Sequence, residues 1–192
     1  FKPNPMMYTG MLPVEIALAL RPRVDVARID SIRIVLDRFC LSSSQGAEKY
    51  DPRTRETADH SIPYLVVAAL LDGRIDDASF DEARFRHPRA LALLSRTTMA
   101  EDETYTQRWP DPFCCRIEIV LQGGEVVSHY AENPLGHPSR PMSDAQIDAK
   151  FIELATRVLS TAQAHRLLEM LWNVERLDGL SPLLQATVAA PN

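Results

Sequence analysis

An apolar block at residues 62–71 constrains this chain more than any other feature of its sequence. Wound as a helix it is apolar on every side, so it predicts a helix at the buried centre of a domain. Pro63 suits the first turn of such a helix, and Gly73 suits its end. Thr57 or Asp59 is predicted to cap its start, because short polar side chains accept from the free N–H groups there.

Helical and strand patterns are mixed before and after this block, and that mixture predicts an α+β fold with a small, mostly antiparallel sheet. A tight Gln122-Gly123-Gly124 turn between alternating segments indicates a hairpin. The predicted strands cover residues 28–42, 97–105 and 113–132, and the predicted helices of this part cover residues 12–23, 79–85 and 87–96.

A loop rich in Pro and Gly, residues 133–143, is the best candidate for a domain boundary. Only helical patterns follow it, with an apolar stripe through Ile147, Phe151, Leu154 and Val158. The sequence therefore predicts an α+β domain at residues 1–140 and C-terminal helices at residues 141–192, whose apolar stripes need a partner.

Composition excludes several classes of partner and site. The net charge of −5, without a stripe of Lys and Arg, argues against nucleic acid. No apolar run approaches the roughly 20 residues of a membrane span. The cysteines Cys40, Cys114 and Cys115 form no C-x-x-C pair, and adjacent strand residues point to opposite faces, so they predict buried reduced thiols in a cytoplasmic protein rather than a metal site.

Two polar residues at the start of the apolar block, His60 and Tyr64, are spaced to lie on one helical face. Near a helix N-terminus, a Tyr can donate a proton and a His can act as acid, base or ligand. The alternative is structural: Asp59 caps the helix, His60 bonds a backbone carbonyl and Tyr64 packs with its hydroxyl satisfied. The pattern alone favours the structural alternative.

Two further segments carry cationic groups on loops stiffened by proline. Lys2 lies in FKPNP, where it is either an anchor for a carboxylate or an ordinary exposed lysine. His137 and Arg140 lie in GHPSRP, which suits either the lip of an anion site or a surface turn. P-loop, G-x-G-x-x-G and G-x-S-x-G motifs are absent from the sequence, which argues against nucleotide and serine-nucleophile chemistry.

Together, these segments resemble the MmgE/PrpD family of dehydratases, decarboxylases and epimerases. The resemblance is carried by three stretches in matching order, which are FKPNP, KYDPRTRETADHSIPYLVVAALLDGRIDDASF and NPLGHPSRPMSDAQIDAKFIELATRVL. It implies that residues 1–140 form a lid domain, and that residues 141–192 return to a helical domain whose larger portion is not in this sequence. The start at Phe1, without a Met, fits the interior of a longer protein.

The resemblance also implies a chemistry, a metal-free and cofactor-free lyase of the 2-methylcitrate dehydratase type. A proton is removed next to a carboxylate of a small polycarboxylate substrate, and water is then eliminated. The resemblance implies that Lys2 and Tyr64 are catalytic. We expect His60 to act with them by orienting Tyr64 or supporting the site, and we expect His137 and Arg140 to be substrate contacts. The implied partners are the N-terminal helical portion of the same enzyme and a second copy in a homodimer.

One departure and two alternatives accompany this resemblance. Relatives carry a His a few residues after the Lys, where this chain has Met6, Met7, Tyr8 and Met11. A decarboxylase or epimerase of the same family begins with the same chemistry. A non-catalytic fragment or subunit that needs a partner chain is the other alternative, and it predicts an inactive isolated chain.

Overall fold

The computed structural model describes residues 1–189 and divides the chain into two compact units, Phe1–Pro141 and a second that begins at Met142. The strands are β1 (Ile29–Leu36), β2 (Thr97–Glu101), β3 (Cys114–Leu121) and β4 (Val126–Glu132). The α-helices are α1 (Met11–Leu20), α2 (Arg38–Ser42), α3 (Arg55–Asp59), α4 (Ile62–Asp72), α5 (Glu82–Phe85), α6 (Pro88–Leu94), α7 (Glu103–Arg108), α8 (Asp144–Ala155), α9 (Thr161–Trp172) and α10 (Ser181–Ala186). No helix of residues 1–189 combines the length and hydropathy needed to cross a bilayer.

The first unit is built on a mixed sheet in the order β2-β1-β3-β4, which confirms the predicted α+β class. β1 pairs in parallel with β2, and the β1–β3 and β3–β4 pairs are antiparallel. The predicted hairpin is present: Leu121 N donates to Glu125 O at 2.8 Å, and Gly123 and Gly124 adopt φ values of +102° and +86°. These positive angles explain why the turn consists of glycines.

Helix α4 is the centre of this unit, as its apolar sequence predicts. Every residue from 62 to 70 is buried, and α1 and α6 pack against it. Its N-cap is Ser61, whose hydroxyl accepts from Tyr64 N at 3.1 Å. The predicted caps Thr57 and Asp59 are wrong, because both belong to the separate short helix α3. The chain therefore turns between α3 and α4.

Two strands end earlier than their sequence patterns predict, and in both cases an aspartate starts a helix. Asp37 follows β1 and accepts from Cys40 N at 2.9 Å. Asp102 follows β2 and accepts from Thr104 N at 2.9 Å. A side-chain cap satisfies backbone N–H groups that would otherwise pair with a neighbouring strand. The residues after each aspartate therefore form a helix although their sequence alternates as in a strand.

The adjacent cysteines of β3 lie on opposite faces of the sheet, as predicted. Cys115 belongs to the main core, whereas Cys114 packs with Val35 and Tyr105 in a separate small cluster. Cys40, Cys114 and Cys115 are all buried and unbridged. Burial raises the pKa of the Cys115 thiol well above its ordinary value, so the thiols behave as small core side chains.

The second unit consists of α8, α9 and α10 around a core of Leu159, Leu167 and Ala186. The predicted apolar stripe is only partly covered within the unit. Leu154 is 44% exposed, and Val158 lies beyond the end of α8 and is 72% exposed. The helices of this unit thus present apolar surface.

We predict that Leu65→Ala lowers the free energy of unfolding by about 2–5 kcal/mol, because Leu65 of α4 is completely buried and the deletion leaves a cavity. Urea unfolding of the chain measures this change. Val126→Ala on β4 is the control, since Val126 is 60% exposed and should cost less than about 0.5 kcal/mol. Equal costs for the two variants would contradict the central placement of α4.

Candidate functional site

Within the first unit, the N-terminal segment contacts two segments that are distant from it in the sequence, and we call this arrangement the three-segment site. The segments are the N-terminal residues 1–7, the turn at residues 59–61 and the loop at residues 134–140. Met7 N donates to Asp59 O at 3.2 Å, which ties the first segment to the second. A Cβ on Gly136 would lie 2.0 Å from Phe1 O, so the first segment also packs directly on the third.

Gly136 is required at the closest of these contacts for two reasons. Its φ of +91° is disfavoured for residues with a side chain, and the Phe1 carbonyl occupies the space that a Cβ would need. The loop around it is closed by a bond from Gly136 N to Arg140 O at 2.8 Å. The Gly of GHPSRP therefore places the Lys2 segment against the loop.

Helix α1 supports the loop through one carboxylate, that of Glu15. Leu135 N donates to Glu15 Oε2 at 3.1 Å, and Arg140 forms an ion pair with the same carboxylate. The guanidinium of Arg140 also donates to Asn133 O at 3.2 Å. Arg140 is thus oriented by the protein itself, while 47% of its side chain remains exposed.

His137 is held through its Nδ1 atom. Ser139 N donates to Nδ1 at 3.2 Å, and the Ser139 hydroxyl lies 2.8 Å from it. The same hydroxyl accepts from Asn133 Nδ2 at 2.9 Å, which leaves its own proton available for Nδ1. The backbone N–H of Ser139 can only donate, so it makes Nδ1 an acceptor, and neutral His137 then carries its proton on Nε2.

His60 lies in the turn between α3 and α4, outside both helices. The prediction that His60 and Tyr64 share one helical face is therefore wrong, because the Ser61 cap separates them. The Nδ1 atom of His60 contacts the Asp59 carboxylate closely and lies 3.2 Å from Glu56 O. The side chain is 54% exposed, so the imidazole is oriented yet accessible.

Tyr64 lies in the core of the first unit rather than on its surface. It is 1% exposed, its hydroxyl donates to Ser79 O, and its ring meets Phe85 edge-on. Burial, followed by the nearby Asp72 carboxylate, raises the pKa of Tyr64 above its ordinary value of 10.0. In this geometry the Tyr64 hydroxyl is neutral, and its proton is already donated to Ser79 O.

Lys2 is exposed, and its ammonium donates to Met6 O at 2.8 Å. This bond folds the side chain back along its own segment. The methionines that follow are partly internal, with Met6 only 3% exposed and Met7 half-buried. The N-terminal segment thus contributes an ammonium group to the three-segment site.

A metal centre finds no support in the described part of the chain. Across residues 1–189, no group of three or more His, Cys, Asp or Glu side chains is arranged to hold a metal ion. The donors of the three-segment site instead suit an organic anion, since ammonium, guanidinium and imidazole groups all bind carboxylates.

Three supporting residues were missed by reasoning from the sequence, namely Glu15, Asn133 and Ser139. Glu15 acts on a loop 120 positions away, and no local pattern marks such a contact. Asn133 has a φ of +47°, and an Asn before Pro in a polar loop is a signal of turn structure. Ser139 follows His137 by two residues, a spacing that allows its backbone N–H to reach the imidazole.

We predict that Gly136→Ala displaces the N-terminal segment, because the new Cβ would overlap the Phe1 carbonyl. Amide NMR shifts of Lys2 and Met7 should change. Gly124→Ala is a matched control: its φ of +86° imposes similar backbone strain of about 1–2 kcal/mol, yet no atom lies within 4 Å of the new Cβ. Unchanged Lys2 and Met7 shifts in Gly136→Ala would contradict this packing.

Tyr64→Phe is predicted to destabilise the chain by about 1–3 kcal/mol, since it leaves the buried Ser79 carbonyl without its donor. Equilibrium unfolding in urea measures the loss. The control is Tyr8→Phe, a change at a tyrosine that is 40% exposed, which should cost less than about 0.5 kcal/mol. A neutral Tyr64→Phe would show that the hydroxyl contributes nothing to the core.

Comparison with known proteins gives relatives of two activities. The chain is 28% identical over 132 residues to cis-aconitate decarboxylase from Homo sapiens, covering 69% of this chain and 27% of that protein. It is 32% identical over 131 residues to 2-methylcitrate dehydratase from Cupriavidus necator, covering 65% of this chain and 26% of that protein. For 2-methylcitrate dehydratase from Salmonella typhimurium, the identity is 26% over 189 residues, covering 91% of this chain and 38% of that protein.

These matches fall in one part of the relatives, since the chain spans 26–38% of their lengths. The family described as MmgE/PrpD C-terminal domain matches residues 5–176, which is most of the chain. That range contains the turn at residues 59–61 and the loop at residues 134–140. The chain belongs to the MmgE/PrpD C-terminal domain family.

Proposed function

We propose that this chain forms part of a metal-free, cofactor-free lyase that removes a proton next to a carboxylate of a small polycarboxylate and eliminates water. The observation that carries the proposal is that the N-terminal segment, which holds Lys2, contacts both the turn with His60 and the loop with His137 and Arg140 through backbone atoms. Relatives named 2-methylcitrate dehydratase support this reaction class and suggest 2-methylcitrate as the first substrate to test.

In this proposal each group has a role that its contacts permit. His60 accepts the proton from the carbon next to a carboxylate, and the electron pair passes into that carboxylate as an enediolate. Lys2 stabilises the enediolate charge. The pair then forms the C=C bond as the C–O bond breaks, and the hydroxyl leaves as water with the proton that His60 took up.

His137 and Arg140 bind the remaining carboxylates of the substrate. Nε2–H of His137 is a hydrogen-bond donor, and a guanidinium keeps further donors after pairing with Glu15. We assign no proton transfer to Tyr64, because its hydroxyl is buried and bonded to Ser79 O. Tyr64 is instead part of the packed core that supports the proposed site.

Decarboxylation is the second candidate reaction, and the identity to a cis-aconitate decarboxylase favours it. Both reactions place negative charge next to a carboxylate, so the same Lys2 would serve either one. Products distinguish them, because a dehydratase releases water and a decarboxylase releases carbon dioxide. Epimerisation would release neither and would be detected as a change of optical rotation.

Partners and location follow from the same proposal. The exposed Leu154 and Val158 of the second unit suit a helical partner, which we propose to be the N-terminal portion of the same enzyme, within a homodimer. The chain by itself is then inactive. The buried, unbridged cysteines suit a reducing compartment, so we propose a cytoplasmic location.

The first test is the intact mass of the protein purified from its native source, followed by assays with 2-methylcitrate and cis-aconitate. We expect a species above 21.6 kDa, or a second chain, together with water loss from 2-methylcitrate. Carbon dioxide release from cis-aconitate would favour the decarboxylase instead. No reaction with any polycarboxylate by the larger species would overturn the proposal.

In that active protein, Lys2→Ala should lower kcat by about a hundredfold or more, since it removes the cation that stabilises the enediolate. Steady-state kinetics measure the change. Lys49→Ala is the control, because Lys49 belongs to none of the three segments. This substitution removes the same charge and leaves in place the Lys49 carbonyl that accepts from Ser61. Equal activity of the two variants would exclude Lys2 from the site.

A further inference from the structure

The imidazole of His60 contacts two groups that can only accept a hydrogen bond at its Nδ1 atom. One is the ionised Asp59 carboxylate, and the other is the Glu56 backbone carbonyl at 3.2 Å. An unprotonated Nδ1 would face two sets of lone pairs. The proton of neutral His60 therefore lies on Nδ1, and Nε2 carries the free lone pair.

Nε2 of His60 is open to a ligand. Within residues 1–189 it makes no hydrogen bond, and the side chain is 54% exposed. The Asp59 side chain is only 24% exposed, so the carboxylate that contacts Nδ1 is the more buried member of the pair. A carboxylate behind an imidazole fixes both its orientation and its tautomer.

His137, on the loop of the same three-segment site, has the opposite arrangement. Its Nδ1 accepts from Ser139 N at 3.2 Å, so its proton lies on Nε2. Two more histidines, His165 and His87, show one arrangement each. His165 Nδ1 lies 2.8 Å from Thr161 O, and His87 Nδ1 accepts from Arg89 N at 3.2 Å.

We propose that Asp59 is a positioning residue that holds His60 as a proton acceptor at Nε2, while His137 presents Nε2–H as a donor to the same substrate. The pairing of one acceptor with one donor suits a hydroxylated polycarboxylate, which offers an acidic C–H and a carboxylate oxygen. This inference rests on the proposed function for its substrate, whereas the two tautomers rest on the contacts alone.

The protonation states are tested by long-range ¹H–¹⁵N NMR of the full 192-residue chain labelled in histidine. At about pH 8.5, well above the ordinary histidine pKa of about 6.5, each neutral ring reports which nitrogen holds the proton. We expect Nδ1–H for His60 and His165, and Nε2–H for His137 and His87. Nε2–H in wild-type His60, or Nδ1–H in His137, would overturn the inference.

Variants separate the carboxylate from the Glu56 carbonyl. Asp59→Ala should raise the Nε2–H fraction of His60 at least severalfold, and Asp59→Glu should restore part of the Nδ1–H state. Asp30→Ala, which removes an exposed carboxylate on β1, is the control, and the His165 signal is the internal reference. An unchanged His60 tautomer in Asp59→Ala would show that Asp59 does not position the ring.

Kinetics of the active protein complete the test. Asp59→Ala should lower kcat by about tenfold to a hundredfold with little change in KM, because it alters the base and leaves the carboxylate contacts in place. A change confined to KM would overturn the positioning role. If the tautomers are as expected and the larger species turns over no polycarboxylate, the proposed function fails while the assignment of the tautomers stands.

Discussion

The burial of α4 is the constraint on which the rest of the first unit depends. A helix without a polar face has to be covered on every side, and α1, α6 and the sheet provide that cover. Each fully buried aliphatic side chain contributes about 1.5–3 kcal/mol, so this helix dominates the core. Because α1 is pressed against it, Glu15 of α1 is held where it can bind the loop at residues 134–140.

The start of α4 also determines the geometry of the candidate site. Ser61 caps the helix, and the chain before it turns sharply enough to expose His60 while Tyr64 is buried. Met7 is bonded to Asp59 in that turn, and the N-terminal segment continues to Gly136. A rigid core helix thus positions groups that come from loops, an arrangement typical of binding and catalytic sites.

Local patterns predicted much of the fold and part of the site. The hairpin, the central helix and the opposite faces of Cys114 and Cys115 depend on short-range periodicity, which the sequence displays directly. The errors have one cause. Asp37, Ser61 and Asp102 each cap a helix through a side-chain hydrogen bond to a backbone N–H group. Such a bond can end a strand or start a helix at a different residue, and the periodicity of the sequence does not reveal it.

The sequence by itself determined the α+β class and the buried helix, because each depends on residue types at short, regular spacings. Its resemblance to the family is carried by three longer stretches. The tertiary structure decided which polar residues meet. It placed Tyr64 in the core and joined the Lys2 segment to Asp59 and Gly136, the chain neighbours of His60 and His137. It also gave the two imidazoles opposite kinds of partner at Nδ1, a carboxylate for His60 and a backbone N–H for His137. Those outcomes depend on contacts between distant segments, and such contacts form only when the core has brought the segments together.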